Sequence, residues 1–377
     1  MDMLLEEEQT SKTFRICRCA QDIEGKPMQL SDDFEDAVDF IKQSLSEIWD
    51  RKQIGKIYDV YQHNAQVHTP DGDLYGREDI IRSATFRLAA FPNIRCSIED
   101  VVWGRNEREG GKVAVRWTMV GRNTGHSIYA LPTGHEATWR GISHYLVRDG
   151  RIVEEWVVDN ELSVIRQLGL NESELVAELA SSEPLSGDQA YGYGEIERVF
   201  GQTTPEVLPP KTTEGFAPED LVQRSTHEIW NWRLVGKVDD VYAEDYRFHG
   251  PSDRILEGRD EFRAYVLSML AAFPDLAMHV DDLFWIGNGR DGYRTTMRWT
   301  LLGTHEGPSI YGAPTGKRVR VHGITNHVVK GGNFVEEWTE FGEFALLKQL
   351  YTPDQASVEA GEGTEGYDQD GRDHTPE

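Results

Sequence analysis

Cysteine is scarce: Cys17, Cys19 and Cys96 are the three in 377 residues. Three thiols cannot build a disulfide framework, and Cys17-Arg18-Cys19 does not match common zinc spacings. They read as reduced structural thiols in a cytoplasmic protein. Basic residues are also in deficit, 39 Lys and Arg against 65 Asp and Glu, a net charge of -26. Nucleic acid and anionic membrane surfaces both select for basic patches, so neither is expected as a partner. No apolar run approaches the ~20 residues that span a bilayer. The opening MDMLLEEEQT lacks the basic and apolar regions of a signal peptide. A phosphate-cradling glycine loop, a dinucleotide fingerprint, HExxH and paired CxxC are all missing. His126, His135 and His144 stand nine apart, a spacing no common metal site uses. Neither a cofactor nor a metal is therefore expected.

What the sequence does contain is an internal repeat. Trp49, Gly55, Asp59-Val60-Tyr61, His68 and Pro70 return 181 positions later as Trp230, Gly236, Asp240-Val241-Tyr242, His249 and Pro251. After one inserted residue the offset is 182. Phe91-Pro92, Trp103, Arg116-Trp117-Thr118, Ser127-Ile128-Tyr129 and Pro132-Thr133-Gly134 then match Phe273-Pro274, Trp285, Arg298-Trp299-Thr300, Ser309-Ile310-Tyr311 and Pro314-Thr315-Gly316. Glu154-Glu155-Trp156 matches Glu336-Glu337-Trp338. One gap over such a length marks a duplication. The expected organisation is an N-terminal extension (1–32), a first domain (33–170), a linker (171–216), a second domain (217–352) and a disordered acidic tail (353–377). Within the linker, Tyr191, Tyr193, Ile196, Val199 and Phe200 could dock on a domain surface.

In each copy the pattern begins helical. Val38, Ile41, Leu45, Ile48 and Trp49 fall on one helix face, with Ser31 or Asp32 as cap. A second helix is predicted over Arg77 to Leu88, stopped at Phe91-Pro92. A short strand near Ala65 to His68 lies between them. Beyond Pro92 the period becomes two, predicting strands at Ile94–Trp103, Lys112–Arg122, Glu136–Val147 and Ile152–Asn160, then a closing helix from Glu161 to Leu168. Helices segregated to one side of a mostly antiparallel sheet make an α+β fold.

The Trp49 helix, Phe91-Pro92, Arg116-Trp117-Thr118, Pro132-Thr133-Gly134, Asp149-Gly150-Arg151-Ile152-Val153-Glu154-Glu155-Trp156 and Ile165-Arg166-Gln167-Leu168-Gly169 together resemble the SnoaL-like branch of the nuclear transport factor 2 superfamily, which includes polyketide ester cyclases. The second copy carries the same signature. The resemblance implies a cone in each copy, a curved sheet wrapped around a pocket and covered by the first helices. It also implies pairing through the outer sheet faces, here an intramolecular pseudo-dimer, with pairing of whole chains left open. In this branch a pocket carboxylate usually follows the strand Trp as general acid or base. Here that place holds Val157 after Trp156 and Thr339 after Trp338.

Substitutes are sought nearby. On an ideal strand Asp159 shares a face with Glu155 and Val157, one pleat beyond the expected acid. His144 and Asp159 are a plausible cross-strand dyad, as Gly150 turns the hairpin between them. In the second copy Glu340 and His327 are the counterparts, although Glu340 faces the other way unless the strand bulges. His68 and His249 recur at a strand end and can exchange protons near neutrality. Glu155 and Glu337 recur too, either paired to a neighbouring Arg or as pocket bases. Arg116 and Arg298 sit inside apolar strands, where a buried Arg must be paired, and could anchor a substrate carboxylate. Trp49, Tyr61, Trp103, Tyr129 and Trp156, with Trp230, Tyr242, Trp285, Tyr311 and Trp338, are core residues or pocket walls. Tyr129 and Tyr311 lie where the family's pocket mouth opens.

The expected function is cofactor-independent acid-base chemistry on a small organic molecule, of isomerase, cyclase, hydratase or hydrolase type, in an aromatic-lined pocket. The alternative is a tandem protein that binds a small molecule without turning it over, which the missing acid in both copies favours.

Overall fold

The computed structural model describes residues 20–21, 27–28, 32–106, 110–129, 131–182, 204–210 and 215–352. The linker aromatics Tyr191 to Phe200, the tail, Ser31 and the pair Cys17 and Cys19 lie outside the described residues. A two-strand ladder of β1 (Ala20–Gln21) with β2 (Pro27–Met28) comes first.

The first repeat opens with α1 (Asp32–Leu45), whose last turn continues as a π-helical segment over Ser46–Asp50. The predicted apolar stripe is its buried face: Val38, Ile41, Leu45 and Ile48 are all under 9% exposed. After the short α2 (Ile57–Val60) come β3 (Tyr61–Thr69), β4 (Gly72–Tyr75) and α3 (Gly76–Ala90). Phe91-Pro92 ends α3 as expected. Four long strands follow: β5 (Arg95–Asn106), β6 (Gly110–Arg122), β7 (Glu136–Arg148) and β8 (Arg151–Asp159). The β7–β8 hairpin turns through Asp149 (φ 49°) and Gly150 (φ 68°), both left-handed, as a tight two-residue turn requires. Helices α4 (Glu161–Gln167) and α5 (Glu172–Ser182) complete the repeat. The latter is a helix where only linker was predicted.

The second repeat follows the same plan. Its elements are α6 (Pro218–Thr226), α7 (Val238–Val241), β9 (Tyr242–His249), β10 (Ile255–Glu257), α8 (Arg259–Ala272), β11 (Ala277–Asn288), β12 (Gly292–Thr304), β13 (Arg318–Lys330), β14 (Asn333–Phe341) and α9 (Glu343–Tyr351). The two six-stranded sheets have matching orders, β4-β3-β8-β7-β6-β5 and β10-β9-β14-β13-β12-β11. Only β3–β8 and β9–β14 run parallel; every other pair is antiparallel. The sheets are open and mixed, and the class is α+β.

A β-bulge in each repeat decides which side chains face inward. Leu146 pairs with Glu154 but Val147 pairs with Ile152, leaving Val153 as the extra residue. The second repeat breaks register between Val328 and Val329. Beyond the bulge Glu155, Val157 and Asp159 point into the first cup, while Trp156 and Val158 point out. The inner face also needs glycine at one point. A Cβ on Gly141 would lie 2.2 Å from the Trp117 indole, and one on Gly323 would lie 2.1 Å from Trp299. Each indole lies over a glycine on the next strand and donates to a hydroxyl there, Ser143 Oγ at 3.1 Å and Thr325 Oγ1 at 2.9 Å.

The outer faces of the two sheets meet each other. Ile142, Val158 and Ile324 form their apolar contact, with Trp156 and Trp338 at its edges. Arg116 lies 3.9 Å from the Trp338 ring centre, and Arg298 lies 4.2 Å from that of Trp156. On the same indoles stack His68 (5.1 Å) and His249 (4.9 Å). Lys112–Asp282 (2.8 Å) and Arg140–Glu340 (3.1 Å) add ion pairs across the seam. Among the described residues no helix is long and apolar enough to cross a membrane.

Candidate active site in the first repeat

The first cup encloses about 910 Å³ of unfilled space, its open mouth included. Its apolar wall comes from α1 and the π-helical turn (Ile41, Ile48, Trp49), from Ile80 and Ala84 of α3, and from Trp117 and Met119 of β6. Polar groups enter at two depths.

At the floor Glu155 is buried (7% exposed) and accepts a hydrogen bond from the Tyr61 hydroxyl at 2.6 Å. Burial raises its carboxyl above the ordinary range, against hydrogen bonds from Tyr61, Tyr145 and Ser143 that favour the charged form. Burial, then the Glu155 charge, pushes the Tyr61 phenol up in turn.

At the mouth stands Asp159, its Oδ2 2.9 Å from Nη1 of Arg87. Arg87 comes from the last turn of α3, and its guanidinium lies 6.0 Å from the Trp49 ring centre. Glu161, first residue of α4, is half-buried beside them and bonded to the Tyr129 hydroxyl. Burial above all, with Asp71 and Asp159 nearby, raises Glu161 to about 8. Leu74, Ser83, Arg87 and Asp159 also border a second, outer space of about 940 Å³ beneath Ser127-Ile128-Tyr129.

The second cup is smaller, about 660 Å³, and more aromatic. Where the first repeat has Ala65, Val67, Ile80 and Ser83, the second has Tyr246, Phe248, Phe262 and Tyr265. Where the first has Arg87 and Asp159, it has Met269 and Phe341. Its polar floor is closed on itself. Glu337 accepts from Tyr246 and Thr339, each at 2.6 Å, and Thr339 meets Thr325 at 2.8 Å. His327 Nε2 lies 3.5 Å from Glu337 Oε2. Burial drives both toward neutrality, His327 down to about 3 and Glu337 up to about 7.

These positions correct several expectations. His144 and Asp159 are not brought together. His144 pairs with Trp156 and turns outward, its Nε2 2.7 Å from Thr296 Oγ1 of the second repeat, while Asp159 pairs with Gly141 and turns inward. Glu340 faces the seam and Arg140, not His327, because β14 does not bulge there. His68 and His249 are on the outer face. His68 holds Asp73 (2.9 Å) and Glu154 (3.0 Å), and these bonds outweigh burial and raise it to about 9. His249 has Glu336 (2.9 Å) but no counterpart of Asp73, and burial wins, lowering it. Arg116, Arg298, Trp156 and Trp338 belong to the seam rather than a pocket, and the partner of Arg116 is Trp338 rather than Glu155. Glu155 and Glu337 are bonded to tyrosines, not to an arginine. Trp103 is buried in the first core away from the cup wall, and Trp285 packs edge-on to Tyr293. Trp49, Tyr61, Trp230, Tyr242 and His327 do line the cups. Tyr129 borders the outer space, and Tyr311 is buried against Glu343 (3.0 Å).

Arg87, Ser83, Glu161 and Tyr246 went unnoticed in the sequence. For Arg87 a signal existed: it interrupts the apolar face Ile80, Ala84, Leu88, where a charge needs a partner.

Compared with known proteins, the family model for SnoaL-like polyketide cyclase matches residues 40–168 and 220–350. No curated protein matches the chain. Among solved structures, a putative polyketide cyclase from Streptomyces antibioticus, IdmH, is 25% identical, covering 35% of this chain and 98% of its own, TM-score 0.31. A putative SnoaL-like polyketide cyclase from Jannaschia sp. CCS1 is 18% identical, covering 38% and 100%, TM-score 0.33. AclR, a putative hydroxylase from Streptomyces galilaeus, is 20% identical, covering 36% and 97%, TM-score 0.32. With both repeats matched over most of their length, the chain belongs to the SnoaL-like polyketide cyclase family and carries that family's domain twice.

Proposed function

We propose that the first cup is the reactive one and works without a cofactor, by carboxylate-based acid-base chemistry on a small organic molecule with an apolar body. The observation that carries this reading is the Asp159–Arg87 pair at the mouth of the larger cup, replaced by Phe341 and Met269 in the smaller. Asp159 acts as base, taking a proton from a carbon next to a carbonyl or from an attacking water. Arg87 stabilises the oxygen on which negative charge gathers. Trp49 and Trp117 hold the apolar body, and the Glu155–Tyr61 pair binds a polar group at the floor. Glu155 and Asp159 are four residues apart on one strand, about 13 Å between α-carbons. The floor therefore orients while the mouth reacts, and isomerisation or cyclisation of a carbonyl compound fits this division best.

A second reading is a binder without turnover, favoured by the aprotic Val157 at the family's usual acid position. A thermal-shift screen of carbonyl metabolites, followed by product analysis of each hit, separates the two, because any ligand of the folded state raises its stability. Turnover that Asp159→Asn abolishes supports the enzyme. Hits bound unchanged, or turnover indifferent to Asp159→Asn, defeat it. The seam of paired indoles and ion pairs supports reading the chain as an intramolecular pseudo-dimer, the second repeat bracing the first.

A further inference from the structure

The tyrosine of the loop over the outer space is half-buried in the first repeat (Tyr129) and buried in the second (Tyr311), and one residue accounts for the tighter seat of the latter. There Tyr351 reaches back, its hydroxyl 2.5 Å from the Tyr311 carbonyl oxygen, and draws the loop down. Tyr311 is only 5% exposed. The approach is so close that a Cβ on Gly312 would meet the Tyr351 hydroxyl at 2.5 Å. The position of Tyr351 in the first repeat is Gly169, which has no side chain to make this latch. Tyr129 instead leans edge-on against Phe344 of the second repeat, 6.3 Å between ring centres, and the space behind it stays open.

Much of the wall of that space is apolar, although Asp79, Arg82 and Glu161 also border it. Its inner wall holds Phe91 and Trp139, packed 5.2 Å apart. At its lip Phe86 and Ile128 are 55% and 62% exposed; Ile310, the counterpart of Ile128, is as exposed at 65%, whereas Phe86 is replaced by Ser268, so Phe86 is the apolar lip residue particular to this repeat. Leu74, Ser83, Arg87 and Asp159 line both this space and the inner cup, so the ion pair stands at the wall the two spaces share.

We infer that the outer space is a second binding subsite, taking an aryl or alkyl group of an elongated, uncharged substrate whose polar centre lies at the Arg87–Asp159 pair. The inference rests on reading the first cup as the substrate site. It adds that the substrate has two apolar arms, and that the second repeat, through Phe344, backs the Tyr129 ring on the wall of the subsite that receives one of them.

Two neutral fluorescent probes test this on the full chain: 1-naphthylamine, sized for one space, and N-phenyl-1-naphthylamine, which carries an additional ring. Burying that ring should tighten binding of the two-ring probe about tenfold over the one-ring probe. Ile128→Trp, at an exposed lip position that poses no folding problem, and Phe86→Asp should each remove that gain while leaving 1-naphthylamine within twofold. Ile80→Phe, which copies the second repeat and narrows only the inner cup, should weaken both probes. If the lip variants leave both probes unchanged while Ile80→Phe weakens both, the outer subsite is refuted and the inner cup stands. If neither probe binds, or Ile80→Phe changes neither, the first cup is not the site and the inference falls with it.

Discussion

The two cups started from one sequence, and their divergence separates what holds the protein together from what works. The stacked groups at the seam are kept in both copies, His68 and His249, Trp156 and Trp338, Arg116 and Arg298, Glu154 and Glu336, while Lys112, Arg140, His144 and Val158 around them become Arg294, His322, Asn326 and Glu340. At the cup mouths the Tyr129–Glu161 pair is kept as Tyr311–Glu343, but the ion pair is not: Arg87 and Asp159 stand against Met269 and Phe341. Repetition at these stacked positions reports the constraint of the seam, where each residue must fit both the sheet below it and the indole opposite. The difference between copies marks the pocket where one repeat kept room and charge and the other filled with aromatic side chains. A closed, mutually satisfied floor such as Glu337, Thr339, Thr325 and Tyr246 is a stable way to bury a carboxylate. It also leaves few bonds for a guest.

The largest effect that would break this comparison concerns Arg87. Arg87→Met, the second repeat's own residue, should lower turnover of any substrate found by about 100-fold or more, read as kcat/KM, since it removes the charge that meets the developing oxyanion. Next come the seam indoles. Trp156→Ala and Trp338→Ala should each cost about 3 kcal/mol in urea unfolding, and by similar amounts, because each indole is packed between a histidine and an arginine. A large inequality between them would mean the seam is not a symmetric unit.

The histidines sharpen the comparison, since their shifts have opposite signs. His68 is raised to about 9, so its contribution is fully present below pH 6.5 and is lost as pH rises through 9. His68→Gln should thus destabilise by on the order of 1–3 kcal/mol at pH 6 and by much less at pH 10. His249 is lowered, so the folded state resists its protonation and loses stability as pH falls below 6.5. His249→Gln should relieve that acid sensitivity, and melting curves across pH 5 to 10 for both variants check the two signs. The smallest effect is expected at Lys348, whose ion pair with Asp71 (2.5 Å) is partly exposed. Lys348→Ala should cost about 0.5 kcal/mol.

The fold was largely legible in the sequence. Period-two stretches placed four long strands to within a few residues, and Phe91-Pro92 marked the helix end. The β4 strand was missed because the hairpin through Pro70-Asp71 is too short to show a period, and α5 because its residues read as linker composition. The site was less legible, and parity explains why. Counting back from the Asp149-Gly150 turn with an ideal register pairs His144 with Glu155 and puts both on the cup side. The extra residue at Val153 shifts the pairing to His144–Trp156 and sends His144 to the seam. A bulge leaves almost no trace in composition, yet it changes the face of every residue beyond it. The seam residues were taken for pocket residues because both repeat, and only the partner surface, absent from a linear reading, tells them apart.

The account depends on chemistry being confined to the open first cup, so the direct measurement sets one carboxylate from each cup side by side. Steady-state turnover of the same substrate is compared in Asp159→Asn and Glu337→Gln, with melting curves to confirm that both fold. A loss of at least about 100-fold in the former and less than about threefold in the latter is the predicted result. Equal losses, or the reverse order, would contradict it.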